Sequence, residues 1–289
     1  MSRIAYVNGQ YVPHGQAAVH VEDRGYQFAD GVYEVCEIRN DHVADETRHM
    51  DRLERSLREL RIVMPMSRAA MCVVLHEVVR RNRVSNGLIY IQVTRGVSPR
   101  DHVFPPDDVL PSVVMTAKKV DLRKTDAKAH ETGVAVITTP DNRWERVDIK
   151  SVSLLPNILA KQAAKEAGAT EAWFVDGDGF VTEGSSTNAW IVTQDGTLVT
   201  RPAENGILRG ITRAAVMDLA ARDGINVEER MFTVEEAEKA REAFITAATT
   251  IVMPVVRIND TSVGNGSPGS IATALRDAFH SVAEMVPLN

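Results

Sequence analysis

Cysteine is scarce in this 289-residue chain, with only Cys36 and Cys72 present. They form no C-x-x-C pair and sit in apolar surroundings, so neither a metal-ligand set nor a disulfide framework is indicated. Positive charge is not in excess. The formal net charge is −6, which argues against a general nucleic-acid binder, because such a surface needs a basic excess or stripe. No apolar run reaches the length of a membrane span. The opening MSRIAYVNGQYVP reads as a hairpin strand and not as a signal peptide. The cytoplasm is therefore the expected compartment. Neither G-x-G-x-x-G nor G-x-x-x-x-G-K-S/T occurs, so dinucleotide and P-loop sites lose their main support. The eight histidines are scattered, with no H-E-x-x-H, and no metal site is expected. Internal repeats and low-complexity tracts are absent as well.

What is there is an ordinary globular composition, 44% apolar and 25% charged, in a chain long enough for one large domain or two ordinary ones. Asn8-Gly9 between two short apolar runs predicts a hairpin. Leu53, Leu57 and Leu60 recur at helical spacing before Pro65, and Ser67 is a plausible N-cap for a second helix. PNILAKQAAKEAGA predicts a helix stopped by Gly168, and ILRGITRAAVMDLAARDG one that ends at Gly224. SPGSIATALRDAFHSVAEM predicts a closing helix. Long antiparallel pieces with few helices between them predict an α+β fold in two domains. The polar segment near residues 120–130 has no clear period and reads as a linker between domains at 1–119 and 131–289.

Five stretches carry candidate chemistry. Lys150, in RWERVDIKSVSLLPN, stands between Ile149 and Val152 just before a helix. It is either a lysine snorkelling to solvent or an amine held in a partly apolar pocket for Schiff-base chemistry. Glu183, in VTEGSSTNAW, ends an apolar strand and meets Gly184, Ser185, Ser186 and Thr187. That is either a polar strand end or a carboxylate able to keep a pyridine nitrogen protonated. In ENGILRGITRAAV, Gly210 precedes Ile211 and Thr212, so a helix start offers its N–H groups and dipole to an anion. Arg48, Arg52, Arg55 and Arg58 fall mostly opposite the leucines of their helix, as a solvated basic face does, and spacing does not single one out. Arg100 and His102, in TRGVSPRDHVFPP, could together hold a carboxylate.

Taken in order, these stretches resemble the fold type IV pyridoxal-phosphate enzymes, a branched-chain-aminotransferase-like family, and within it the D-amino-acid branch. DRGYQFADGVYEV, HMDRLERS, VTRGVSPRDHVFP, DIKSVSLLPNILAKQAAKEAGA, VTEGSSTNAW and ILRGITR carry the likeness, which runs almost from end to end. It implies a smaller N-terminal domain, a larger C-terminal pseudo-barrel domain, and pyridoxal 5'-phosphate at the domain interface. Residue by residue, Lys150 matches the lysine that binds the cofactor and moves the α-proton. Glu183 matches the carboxylate on the ring nitrogen, and Arg52 the arginine on the phosphate. Ile211 and Thr212 match the helix-start phosphate site, and Leu208 the leucine on the ring face. Tyr33, Arg100 and His102 match the carboxylate trap, whose Arg and His come from the second subunit of a homodimer. One departure stands out. Ala247 and Ala248 occupy a turn where Ser and Thr are common, which leaves backbone N–H groups to meet the phosphate there.

The resemblance implies a ping-pong transamination between a D-amino acid, such as D-alanine, and a 2-oxo acid, such as 2-oxoglutarate, giving pyruvate and D-glutamate. Rivals of the same fold are an (R)-selective amine transaminase, a branched-chain L-amino-acid transaminase and an aminodeoxychorismate lyase. Arg100 and His102 favour the D-amino-acid reading over these.

Overall fold

The computed structural model describes residues 3–204 and 206–288; residues 1, 2, 205 and 289, which fall within the expected domains, lie outside it. The chain divides into two compact units. One comprises Met1–Asp121, Ile149–Ser153 and Glu284–Asn289, and the other Leu122–Asp148 and Leu154–Ala283. The segment around Lys150 thus returns to the N-terminal unit. Residues 120–130, expected as a linker, lie largely within a helix, Leu122–Thr132.

In the first unit, β1 (Ile4–Val7) and β2 (Gln10–Pro13) form the expected hairpin. Asn8 and Gly9 take φ of 45° and 94°, the left-handed pair that a tight two-residue hairpin turn demands. After α1 (Arg24–Phe28) come β3 (Gly31–Arg39), β4 (His42–Ala44), α2 (Glu46–Glu59), α3 (Arg68–Arg81), β5 (Asn86–Thr94) and β6 (Ser112–Lys119). With a last strand, Met285–Pro287, they build a seven-stranded antiparallel sheet in the order Met285–Pro287, β4, β3, β5, β6, β1, β2. In β5, Ile89, Ile91 and Val93 are buried while the residues between them are not, the period of two that sets one face on the core. Leu53 and Leu57 of α2 and Met71, Leu75 and Val79 of α3 join that core. Truncating any of these side chains to Ala costs about 2–5 kcal/mol. The Ser67 side chain caps α3 by accepting from Ala70 N at 3.3 Å.

The second unit contains α4 (Leu122–Thr132), β7 (Val134–Pro140), α5 (Leu155–Glu166), β8 (Glu171–Val175), β9 (Val181–Gly184), β10 (Asn188–Val192), β11 (Leu198–Thr200), α6 (Ile211–Arg222), β12 (Val227–Glu229), α7 (Val234–Glu238), β13 (Glu242–Ala247), β14 (Ile251–Ile258), β15 (Thr261–Ser262) and α8 (Ser270–Ala278). Its strands run β12, β11, β10, β13, β14, β7, β8, β9, with β15 on β14. The sheet is mixed, since β14, β7 and β8 are parallel to one another. Strand β10 is buried throughout because both of its faces are covered. Ala189 and Ile191 join one core with Val136, Phe232 and Met253. Trp190 and Val192 join another with Val216 and Leu219 of α6 and Leu275 of α8. The helices α5 and α6 end at Gly168 and Gly224, both left-handed at φ of 69° and 70°, where glycine carries no steric penalty.

Candidate active site

In the first unit, segment Ile149–Ser153 lies along the start of β3. Tyr33 N donates to Lys150 O at 3.0 Å and Val152 N to Gly31 O at 3.0 Å. Ile149 is buried in the sheet's core, and Lys150 N reaches Ser56 Oγ of α2 at 3.3 Å. The Lys150 backbone is therefore held on two sides. Its Nζ stands 4.3 Å from the centroid of the Tyr33 ring, within cation–π range of the ring face. Tyr33 in turn stacks on Tyr90 at 5.7 Å. The Lys150 side chain is half-buried, with its Nζ over the Tyr33 ring.

Arg52 lies one helical turn before Ser56. It does not belong to a solvated basic face. Its side chain is only 10% exposed and grips Glu34 of β3, with Nε to Oε1 at 2.7 Å and Nη2 to Oε2 at 2.8 Å. His49 Nδ1 meets the same Oε2 at 2.7 Å. Glu34 is wholly buried. Burial alone would raise its pKa, but Arg52 and His49 outweigh that and hold the carboxyl at about 2. The two-toothed contact fixes the plane of the guanidinium. Reading the sequence missed Glu34; its only signal was a charge set between apolar residues in β3, a strand that also carries Glu37 and Arg39.

In the second unit, Glu183 is 5% exposed at the end of β9. Arg143 Nη1 donates to its Oε1 at 2.5 Å, Asn188 Nδ2 to its Oε2 at 3.0 Å, and Leu208 N to both oxygens at 3.1–3.2 Å. Burial raises its pKa and outweighs Arg143 and the Leu208 amide, which pull it down. A buried carboxylate of this kind gains from an added cation beside it. Arg143 is steadied by Asp141, at 2.7 Å and 2.9 Å, and by the face of Phe174 at 4.4 Å. Arg143 was not singled out in the sequence, although it stands in the Lys150 stretch. Leu208 therefore does more than present a half-buried side chain, since its N–H also orients Glu183. The hydroxyls of Ser185, Ser186 and Thr187 serve another group, all three bonding Glu171, a buried carboxylate on β8.

Asn188 links Glu183 to the loop before α6, because Nδ2 also donates to Leu208 O at 2.9 Å. A Cβ at Gly210 would fall 2.1 Å from Asn188 Oδ1, so only glycine fits there. Gly210 is the N-cap of α6 and offers no side-chain cap. The first N–H groups of that helix, at Ile211 and Thr212, thus form a ready anion site. The β13–β14 turn runs from Ala247 to Ile251, residues that pair across it. Ala247 and Ala248 bring no hydroxyl, as the sequence shows. Thr250 Oγ1, however, is buried without a hydrogen-bond partner among the described residues, and the β-branched Ile251 is held at φ 58°. An orphaned hydroxyl and a strained backbone at one turn fit a missing acceptor such as phosphate.

Arg100 and His102 are exposed on the loop between β5 and β6. They form a cluster with Phe28, whose ring lies 4.9 Å from Arg100 Cζ and 5.3 Å from the His102 ring. No group of three or more His, Cys, Asp or Glu among the described residues could hold a metal ion.

The first unit thus carries a lysine amine on an aromatic face, and the second a buried carboxylate of raised pKa, an uncapped helix start and a buried hydroxyl without a partner among the described residues. The chain belongs to the class IV amino-transferases: the family model matches residues 31–258. The chain is 41% identical over 278 residues to a D-alanine aminotransferase of Bacillus licheniformis, covering 95% of this chain and 96% of that one. It is 37% identical over 279 residues to a D-alanine aminotransferase of Staphylococcus haemolyticus, covering 96% and 97%. Among solved structures, it matches a T.th. branched-chain amino acid aminotransferase with pyridoxamine 5'-phosphate at a TM-score of 0.90 and 25% identity, covering 100% and 99%. A branched-chain amino acid aminotransferase from Escherichia coli matches at a TM-score of 0.90 and 23% identity over the whole of both chains. The fold is the two-domain α+β fold of type IV aminotransferases.

Proposed function

We propose that this chain is a pyridoxal 5'-phosphate-dependent transaminase of D-amino acids and 2-oxo acids, with D-alanine and 2-oxoglutarate as its pair and pyruvate and D-glutamate as products. The observation that carries the reading is 41% identity to a D-alanine aminotransferase across 95% of the chain. Arg100 and His102 support it as a carboxylate clamp.

The donor set described above fits the cofactor. When bound, the cofactor supplies an aldehyde that takes up amines and a cationic ring that accepts electron density. Lys150 would hold it through Nζ, and the same amine, when free, would move the substrate's α-proton. Tyr33 keeps the amine on its ring face while it is free. Glu183 holds a proton on the ring nitrogen, and Arg143 and Asn188 keep its carboxylate aimed. Arg52, the N–H groups of Ile211 and Thr212, the amides of Ala247 and Ala248, and Thr250 Oγ1 would hold the phosphate. Leu208 would pack on one face of the ring. Tyr33, with Arg100 and His102 of a second copy, binds the substrate carboxylate, so the working form is a cytoplasmic homodimer.

The test is a half-reaction. Purified protein saturated with pyridoxal 5'-phosphate should lose its visible absorption band on addition of D-alanine and keep it with L-alanine or L-leucine. Loss with the L-amino acids alone would move the chain to the branched-chain activity, and a colourless protein that takes up no cofactor would end the proposal.

A further inference from the structure

The loop that bears Arg100 and His102 is exposed, yet it is held by a buried arginine. Arg24, 4% exposed on α1, donates from Nη1 to the carbonyls of Asp101 at 2.6 Å and Val103 at 3.3 Å, on either side of His102. Its Nε pairs with Asp30 at 2.9 Å. Asp30 also takes Arg95 Nε at 2.7 Å and Nη2 at 3.0 Å. Arg95 lies 3.7 Å from the centroid of the Phe104 ring, farther along the same loop. Phe28 is the meeting point. Arg24 Cζ and Arg100 Cζ each stand 4.9 Å from its ring centroid, and the His102 ring packs against it at 5.3 Å with planes tilted by 48°. The short helix α1 is itself pinned, since Asp23 Oδ1 accepts from Gly25 N at 2.9 Å, and a Cβ at Gly25 would fall 2.3 Å from Thr94 Cγ2.

A clamp of two side chains on an exposed loop loses affinity to the entropy of ordering them. A ring that already holds both removes part of that cost, and backbone bonds on both sides of His102 remove more. We propose that Arg24 and Phe28 are positioning residues for Arg100 and His102, and thereby set affinity for the substrate carboxylate. This rests on the clamp reading given under Proposed function. Neither residue need touch substrate.

The test is steady-state kinetics of the holoenzyme with D-alanine and 2-oxoglutarate. Cation–π contacts at exposed sites are individually weak, so Phe28→Leu should raise KM for both substrates about three- to tenfold and leave kcat within about twofold. Phe28→Tyr, which keeps the ring, should restore the parent KM. In an Arg100→Ala background the Phe28→Leu effect should shrink, because its contact with Arg100 is already gone and only the one with His102 remains. A Phe28→Leu enzyme with unchanged KM overturns the proposal, and so does one whose full effect persists without Arg100. Should Phe28→Leu fold poorly, Arg24→Lys, which loses the Nη1 bonds to the Asp101 and Val103 carbonyls, should likewise raise KM for both substrates with kcat within about twofold, and an unchanged KM overturns the proposal. Failure of the parent enzyme to transaminate any carboxylate substrate would instead strike the proposed function.

Discussion

Replacing Glu34 by Gln tests the buried cluster that holds Arg52. The carboxyl titrates at about 2 against an ordinary value of 4.5, and with the side chain wholly buried that gap corresponds to about 3 kcal/mol of folding stability. The sign follows from the direction. A carboxyl whose folded pKa is depressed contributes fully above 4.5, and the contribution drains away as pH falls toward 2. Glu34→Gln should therefore cost about 3–5 kcal/mol at about pH 7, since Arg52 is left buried without its counter-charge. At about pH 3.5 the parent has already lost about 1–2 kcal/mol of the benefit, so the gap between parent and variant should narrow by that amount. Urea unfolding of the cofactor-free protein at both pH values measures it. A cost below about 1 kcal/mol, or a gap that does not narrow in acid, refutes the view that Arg52 is anchored by an ionised Glu34.

Three further outcomes are expected. Thr250→Val removes a hydroxyl that has no protein partner among the described residues, so the cofactor-free protein should be no less stable, while the dissociation constant for pyridoxal 5'-phosphate rises about tenfold or more by equilibrium titration. Equal affinity would show that the hydroxyl does not meet the phosphate. Gly210→Ala places a methyl 2.1 Å from Asn188 Oδ1, so Asn188 must release Glu183 or α6 must shift. A thermal-unfolding scan should show a loss of about 1–3 kcal/mol, and a neutral result would mean that the approach relaxes freely. Lys150→Ala should abolish turnover in a coupled pyruvate assay. Near-normal activity without added amine would show that another group moves the proton.

Local rules carried a good deal of the fold. The Asn8-Gly9 hairpin, the Ser67 cap, and the helix ends at Gly168 and Gly224 were legible because each depends on residues a few positions apart. The uncapped start of α6 at Gly210 was legible for the same reason. The polar segment after β6 was not, since weak periodicity gave no hint of α4. Among candidate site residues, Lys150 and Glu183 stood out as charges set in apolar runs. Which of four arginines on α2 turns inward was beyond helical spacing, because the choice is made by Glu34, eighteen residues before Arg52.

Chain order alone established the element pattern, the α+β class and the short list of chemistry-bearing residues, since propensities, caps and turn residues act over one or two turns. Tertiary packing decided the pairings. It set Arg52 against Glu34 and His49, Arg143 against Glu183, the Ser185–Thr187 hydroxyls against Glu171, and Arg24 with Phe28 against the Arg100 loop. Hydrogen bonds and ion pairs form between groups brought within about 3 Å, and in this chain such partners are commonly separated by tens of residues.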